Sequence, residues 1–316
     1  MLPRYDSTMN YSAVAICGPT ACGKTGRAVA LAEALGSEII SADSRQVYRR
    51  MDLGTGKDLE DYGDIPCHLI DIMEPGTKYN LHQYLRDFNL VFEDMCSRGL
   101  MPVICGGTGM YLENALSGLI LPEVPENPEL RASLAGKTLR ELTIILSSMK
   151  TLHNITDVDT CQRAIRAIEI QTYYNEHPGE TMLSDKRNAK PLDALVIAID
   201  ISREKRRERI SERLSARLEA GMVDEVKSLL DEGIPAENLI YYGLEYKYLT
   251  EYVTGKISFD EMRHSLEIAI HQFAKRQMTW LRGMERRGFK LHWLPYDLSN
   301  GEFVSEVKRL MASADR

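Results

Sequence analysis

The chain has no Cys-x-x-Cys pair, no internal repeat, no low-complexity tract, and no apolar run near the roughly 18 residues that cross a bilayer. Its six cysteines (Cys17, Cys22, Cys67, Cys96, Cys105 and Cys161) are scattered, several of them in apolar runs, which argues against a disulfide framework or a zinc site. Met1 to Asp6 lacks the apolar segment of a secretory signal, so the expected address is the cytoplasm, with no membrane partner. Nothing in the sequence speaks for an oligomer, and a monomer is the default. Net basic charge is absent too: 39 basic against 46 acidic residues leave −7, which taken alone argues against a nucleic-acid partner.

What is present begins with residues 18 to 25, Gly18-Pro19-Thr20-Ala21-Cys22-Gly23-Lys24-Thr25, directly after the apolar run Val14-Ala15-Ile16-Cys17. This is the spacing of a phosphate-binding P-loop. A strand ending in a Gly-rich turn that opens into a helix aims backbone N–H groups and the positive helix end at one spot, so linked phosphates bind there. Lys24 would reach the outer phosphate, and the Thr25 hydroxyl would hold Mg2+. An ordinary strand-helix turn is the plainer alternative, and the register of strand, motif and helix speaks against it.

Further short apolar runs at Ile39-Ile40, Pro66 to Ile70, Pro102 to Cys105 and Ala194 to Ile199 read as buried parallel strands separated by helical patterns. The fold class they predict is α/β, a P-loop NTPase-like doubly wound parallel sheet with a helical insertion domain. Residues 1–121 and 192–316 form the core, and 122–191 the insertion, introduced by Pro122, Pro125 and Pro128. Helices are expected over Thr138 to Met149, Asp159 to Tyr174, Arg203 to Ala220, Met222 to Glu232 and Ser258 to Gly283. Thr250 to Ile257 reads as a helix-helix connection, and His177 to Lys190 as a polar stretch. In such sheets ligands sit beyond the carboxyl ends of the strands, so Lys24, Asp43, Asp71 and Gly106-Gly107-Thr108 should meet in one cleft.

Charge is unevenly spread. Residues 203–217 carry seven basic against three acidic side chains, and residues 275–290 six against one. Such stripes can steer a polyanion even on an acidic molecule, because charge is screened beyond about 8–10 Å; the alternative is two solvated helix faces. A P-loop commonly serves a hydrolase or kinase, whose sites place a carboxylate after a long strand. Here Val103-Ile104-Cys105 runs into Gly106-Gly107-Thr108-Gly109, and only Asp71 or Asp200 could supply such an acid.

Seven segments, in order, resemble the signature of the tRNA dimethylallyltransferases of the bacterial isopentenyltransferase family. They are Gly18 to Thr25, Ser41 to Tyr48, Met51 to Lys57, His68 to Asp71, Gly106 to Tyr111, Asp159 to Glu169 and Ala274 to Trp280. The resemblance implies transfer of a dimethylallyl group from dimethylallyl diphosphate to N6 of the adenosine just 3′ of the anticodon, with Mg2+ as cofactor and tRNA as partner. It implies Asp43 as general base, with the P-loop, Thr25 and Arg213 acting on the diphosphate. For tRNA it implies contacts at Asp43, Ser44, Arg45, Gln46, Thr108, Arg131, Gln162, Arg163, Ala164, Ile165 and Arg166. It implies more at Lys275, Arg276, Gln277, Met278, Thr279, Trp280, Leu281 and Arg282, and gives the insertion the task of gripping the anticodon loop. Departures from the family pattern are Cys22 for Ser, Gly56 for Ala, Asp58 for Pro and Arg217 for Met, with a blurred stretch at Tyr241 to Tyr246.

Each of these residues has a plainer reading. Asp43 suits a helix N-cap, Arg213 a surface helix arginine, and Trp280 a core position. The competing functions are a small-molecule P-loop kinase, a transferase acting on free adenine nucleotides, and a non-catalytic RNA-binding module. ATP turnover would mark the first, AMP, ADP or ATP as acceptor the second, and indifference to loss of Asp43 the third.

Overall fold

The computed structural model describes residues 11–152, 156–179 and 189–313. Two compact units emerge, one from residues up to Leu116 together with Pro191 onward, the other from Ser117–Lys190.

The first unit is built on a six-stranded sheet in the order β3-β2-β4-β1-β5-β6, with every pairing parallel. The strands are β1 (Ala13–Cys17), β2 (Ile39–Ser41), β3 (Cys67–His68), β4 (Val103–Gly106), β5 (Ala194–Asp200) and β6 (Leu291–Pro295). β1 is buried throughout and flanked by β4 and β5, in register Ile16 to Cys105 and Ile16 to Ile197. Its uninterrupted apolar sequence is what burial on both faces of a parallel sheet demands. The helices α1 (Lys24–Leu35), α2 (Leu81–Ser97) and α3 (Gly109–Leu116) link the first strands. Ala28, Leu31 and Ala32 of α1 share a core with Val14, Ile16, Val103 and Ile197 of the sheet.

Two expectations for the sheet need correction. β3 is only two residues long, because Leu69 and Asp71 take left-handed backbone angles (φ 62 and 53) that end the strand. β6 was not anticipated; it is an edge strand paired only with β5, and its Trp293 and His292 interrupt an apolar run.

In the second unit α4 (Pro128–Leu134), α5 (Leu139–Met149) and α6 (Cys161–Glu176) enclose Leu134, Leu142, Leu146, Ala164, Ala167 and Ile168. α5 starts in a capping box between Thr138 and Glu141. Within this unit the two chain ends abut: a Cβ on Gly118 would lie 2.0 Å from the Lys190 carbonyl oxygen, so only glycine fits. In the first unit the Leu192 N–H donates to the Leu116 carbonyl at 2.9 Å. Of the polar stretch expected over 177–190, residues 180–188 lie outside the described residues.

After β5 come α7 (Arg203–Glu219), α8 (Met222–Asp231), α9 (Ala236–Tyr241), α10 (Leu244–Val253), α11 (Phe259–Arg286) and, after β6, α12 (Asn300–Ser313). α10 occupies part of the connection expected at Thr250 to Ile257, since Tyr246, Leu249 and Thr250 bury one helical face. The 28-residue α11 begins in a capping box between Ser258 and Glu261 and buries Ala274, Met278 and Leu281 at helical spacing. Among the described residues no helix is long and apolar enough to cross a membrane.

Candidate active site

β1 delivers the chain into the turn Gly18 to Gly23, and α1 starts at Lys24. Gly23 is the N-cap with φ 77, a left-handed angle that glycine takes without steric cost. No side chain caps α1, and its first turn holds no acidic residue, so its N–H groups face the cleft without internal competition. Ala21 is also left-handed (φ 62), and its carbonyl accepts a 2.8 Å hydrogen bond from Arg209 Nε. Lys24 Nζ curls back to the Pro19 carbonyl at 2.8 Å. Tyr62 also lines the cleft, and burial pushes its phenol far above its usual value.

Asp43 follows β2. A Cβ on Gly106 would fall 2.2 Å from the Ala42 carbonyl oxygen, so glycine at the end of β4 is what lets the two strand ends approach. The Ala42 N–H then donates to the Cys105 carbonyl (2.8 Å), Thr108 N–H to Ala42 (3.2 Å), and Ser44 N–H to Thr108 Oγ1 (3.0 Å). Asp43 Oδ1 accepts from the Arg45 N–H at 2.9 Å, an Asx-type turn rather than a helix N-cap, since no helix follows.

Gln277 of α11 joins the two loops. Its Oε1 accepts from the Thr20 N–H (2.8 Å) and its Nε2 donates to the Gly107 carbonyl (2.9 Å). Arg213 of α7 donates through Nη2 to Thr20 Oγ1. Burial, with Arg217 alongside, lowers its guanidinium below the ordinary arginine value, yet it stays cationic at neutral pH. Burial pushes the Glu245 carboxyl up against the opposing pull of Arg213 and Arg217. Lys24, Thr25, Asp43, Thr108, Arg213 and Trp280 all line one cavity of about 590 Å³, a size suited to a small-molecule ligand.

A family model described as IPP transferase matches residues 46–284, and one described as isopentenyl transferase matches residues 11–62. The chain belongs to the IPP transferase family. It is 60% identical over 304 residues to tRNA dimethylallyltransferase 2 of Bacteroides fragilis, covering 95% of this chain and 98% of that protein. With tRNA dimethylallyltransferase 1 of Parabacteroides distasonis it shares 58% identity over 306 residues, 96% and 98% of the two chains. The crystal structure of the full-length tRNA isopentenylpyrophosphate transferase of Bacillus halodurans superimposes with a TM-score of 0.69 at 29% identity, covering 96% of each chain.

Of the positions singled out from the sequence, some lie on the cleft or the surface and others are buried. Asp71 is not on the cleft; its carboxylate is bound by the buried Lys57, which also holds Asp52 at 2.6 Å. Trp280 lines the cleft and is 39% exposed, because it takes the helix face opposite Met278 and Leu281. Ala164, Met278 and Leu281 are buried within their units. Arg131 and Arg166 both bind the buried Glu169, which Asn127 N–H also reaches. Burial pushes the Glu169 carboxyl up, but these donors outweigh it and hold it below its usual value. Gln162 and Arg163 are exposed, with Arg163 paired to Asp159 at 2.5 Å, and Ile165 is half-buried.

Lys275, Arg276, Thr279 and Arg282 are exposed on α11. α7 and α11 pack against each other, and burial, then the charges of Arg203 and Arg282, lowers the Arg206 guanidinium below its usual value. Arg203, Arg206, Arg207, Lys275 and Arg282 form no ion pair among the described residues. Three of the departures from the family pattern turn out to be one contact. Arg217 binds both Asp58 oxygens (2.8 and 2.9 Å), and a Cβ on Gly56 would sit 2.7 Å from its Nη1. The sequence reading missed Glu245, Arg209, Tyr62 and Asp61 as cleft residues; position after a strand or in a P-loop signals none of them.

Proposed function

We propose that this protein transfers the dimethylallyl group of dimethylallyl diphosphate to N6 of the adenosine 3′-adjacent to the anticodon in tRNA, releasing diphosphate. The observation that carries this reading is the meeting of the P-loop, Asp43 and Arg213 on a single cavity. The N–H groups of α1, Lys24 and Arg213 hold the diphosphate, and Leu244, Ile270 and Phe273 offer apolar wall to the prenyl chain. The Thr25 Oγ1 is a hard oxygen donor that suits Mg2+; Thr25 would hold the ion, which would supply charge neutralisation. As N6 attacks the allylic carbon, the C–N bond forms, the C–O bond breaks with its electrons on diphosphate, and Asp43 accepts the N6 proton. Charge grows on the leaving group during this step, so Lys24 and Arg213 favour the transition state over the ground state.

Transfer to a free adenine nucleotide needs the same cleft. The unpaired cations on α7 and α11 favour tRNA, since a mononucleotide has no use for a basic surface of that extent. The protein works on this reading as a cytoplasmic monomer. Incubation with dimethylallyl diphosphate, Mg2+ and tRNA, beside parallel AMP and ATP acceptors, tests it. One added C5H8 unit on a tRNA adenosine is expected; ATP consumption without that product would sink the proposal.

A further inference from the structure

Arg27 lies in the first turn of α1 and is only 6% exposed. A buried guanidinium has to find acceptors. Every acceptor it has among the described residues is a main-chain carbonyl: Nη1 donates to Cys22 (3.2 Å) and Gly23 (3.1 Å), and Nη2 to Tyr296 and to Leu298 (3.3 Å). The guanidinium also stands 5.7 Å from the centre of the Phe303 ring on α12. Arg27 therefore joins the phosphate loop to the segment between β6 and α12. A Cβ on Gly23 would lie 2.9 Å from Nη1, so the glycine that turns the loop also admits the guanidinium.

Tyr296 serves two cations. Its carbonyl takes Arg27, its N–H donates to the Asp200 carbonyl at the end of β5 (2.8 Å), and its ring centre is 5.4 Å from the Arg209 guanidinium. Arg209 in turn holds the Ala21 carbonyl. Three successive carbonyls, those of Ala21, Cys22 and Gly23, are thus bound by guanidiniums. A trans peptide points its C=O and its N–H in opposite directions. With these oxygens held, the N–H groups of Cys22, Gly23 and Lys24 are turned the other way, and none of the three meets an acceptor among the described residues. Left-handed angles at Ala21 (φ 62) and Gly23 (φ 77) give the loop the backbone of an anion-binding nest. Ala21, Gly23 and Lys24 line the cavity, whereas Arg27 and Tyr296 do not, so Arg27 acts through the loop and not on the ligand.

We propose that Arg27 is a positioning residue for the phosphate loop: seated on Tyr296 behind the cleft, it holds the Cys22 and Gly23 carbonyls so that the N–H groups of Gly23 and Lys24 stay aimed at diphosphate. This rests on the reading of the loop as the diphosphate site. A cation on the carbonyl also polarises the peptide, which strengthens the N–H on its far side as a donor.

The test compares wild type, Arg27→Met, Arg27→Lys and Val307→Ala, with inorganic pyrophosphate and Mg2+ as the titrated probe, well below every thermal midpoint. Arg27→Met keeps a stem of similar length and loses all donors. It should weaken pyrophosphate roughly 10- to 150-fold, the range for one lost hydrogen bond to a charged group, and raise the KM for dimethylallyl diphosphate in parallel while the KM for tRNA stays put. Arg27→Lys should recover part of that loss, because an ammonium reaches one pair of carbonyls but cannot span both. Val307→Ala thins the core between α12 and the sheet without touching the guanidinium; its midpoint should fall with pyrophosphate affinity unmoved. Wild-type pyrophosphate affinity in folded Arg27→Met, or a loss in Val307→Ala as large as that in Arg27→Met, would overturn the proposal. If Arg27→Met does not fold, Arg27→Lys decides: a several-fold loss upholds the role and wild-type affinity refutes it. Wild type that binds pyrophosphate but does not prenylate tRNA would remove the transfer reading, while the affinity ratios still judge Arg27.

Discussion

Gln277 to Leu is the perturbation that most directly interrogates the cleft. It removes both ends of the clip, the acceptor for Thr20 N–H and the donor to the Gly107 carbonyl, at nearly constant volume. Each neutral hydrogen bond contributes about 0.5–1.5 kcal/mol net, so the pair is worth about 1–3 kcal/mol. Gln277 is half-buried, and water entering the cleft can partly satisfy the stranded groups, which keeps the loss within that range. For a chain of this size the thermal midpoint should fall by roughly 2–5 °C. A loosened P-loop should also cost turnover, because displacing a reacting group by about 1 Å can lower rates 10²-fold. Gln277→Glu is sharper: it keeps an acceptor for Thr20 but sets a carboxylate against the Gly107 carbonyl and beside the diphosphate. Its KM for the donor should exceed that of the Leu variant. Thermal denaturation and steady-state kinetics with both substrates varied decide the matter. If Gln277→Leu keeps its midpoint and donor KM and raises only the KM for tRNA, Gln277 is an RNA contact and the clip reasoning fails.

Asp43→Asn should lower kcat roughly 10²- to 10⁴-fold in single-turnover assays while stem-loop affinity changes only a few-fold; equal losses in both would mark a residue that positions RNA. Glu169→Ala should destabilise the second unit by about 3–5 kcal/mol in chemical denaturation, since two guanidiniums lose their buried partner. A near-neutral result would mean water replaces the carboxylate. Glu38 is bound by Arg98 (2.6 and 2.7 Å) and His68 (2.7 Å), and chiefly through the Arg98 hydrogen bonds its carboxyl is held down to about 2 from 4.5. A depressed folded-state value contributes stability above pH 4.5 that fades as the pH falls toward 2. With Arg98 41% exposed, solvent screening limits the gap between wild type and Glu38→Gln to about 1 kcal/mol at pH 7. That gap should close in acid, and one that widens there would refute the assignment.

The α/β class and the β1, P-loop, α1 passage were legible because continuous apolar runs and a glycine-bearing turn have few structural meanings. β6 was not, because an edge strand needs only one buried face and can carry His292 and Trp293. The burial of Met278 and Leu281 was within reach: with Ala274 they recur at positions four and seven along α11, the period of a helix face. Reading Ala274 to Trp280 as a block obscured that alternation, and Trp280 lands on the cleft for the same reason. Asp71 could not have been excluded from the cleft, since its capture by Lys57 depends on left-handed backbone at Leu69 and Asp71. Arg217, Asp58 and Gly56 looked like separate oddities along the chain. Only proximity reveals that an arginine in place of methionine needs both a carboxylate partner and a missing methyl.

The meeting of Gly118 with Lys190 has an evolutionary side. A module whose entry and exit strokes touch costs its host little more chain entropy than a tight turn would, however many residues it contains. Such a cassette can be lengthened, shortened or exchanged while the sheet keeps its register. On the tRNA reading, nature can therefore retune which anticodon arms are gripped without rewriting the machinery that breaks the allylic bond.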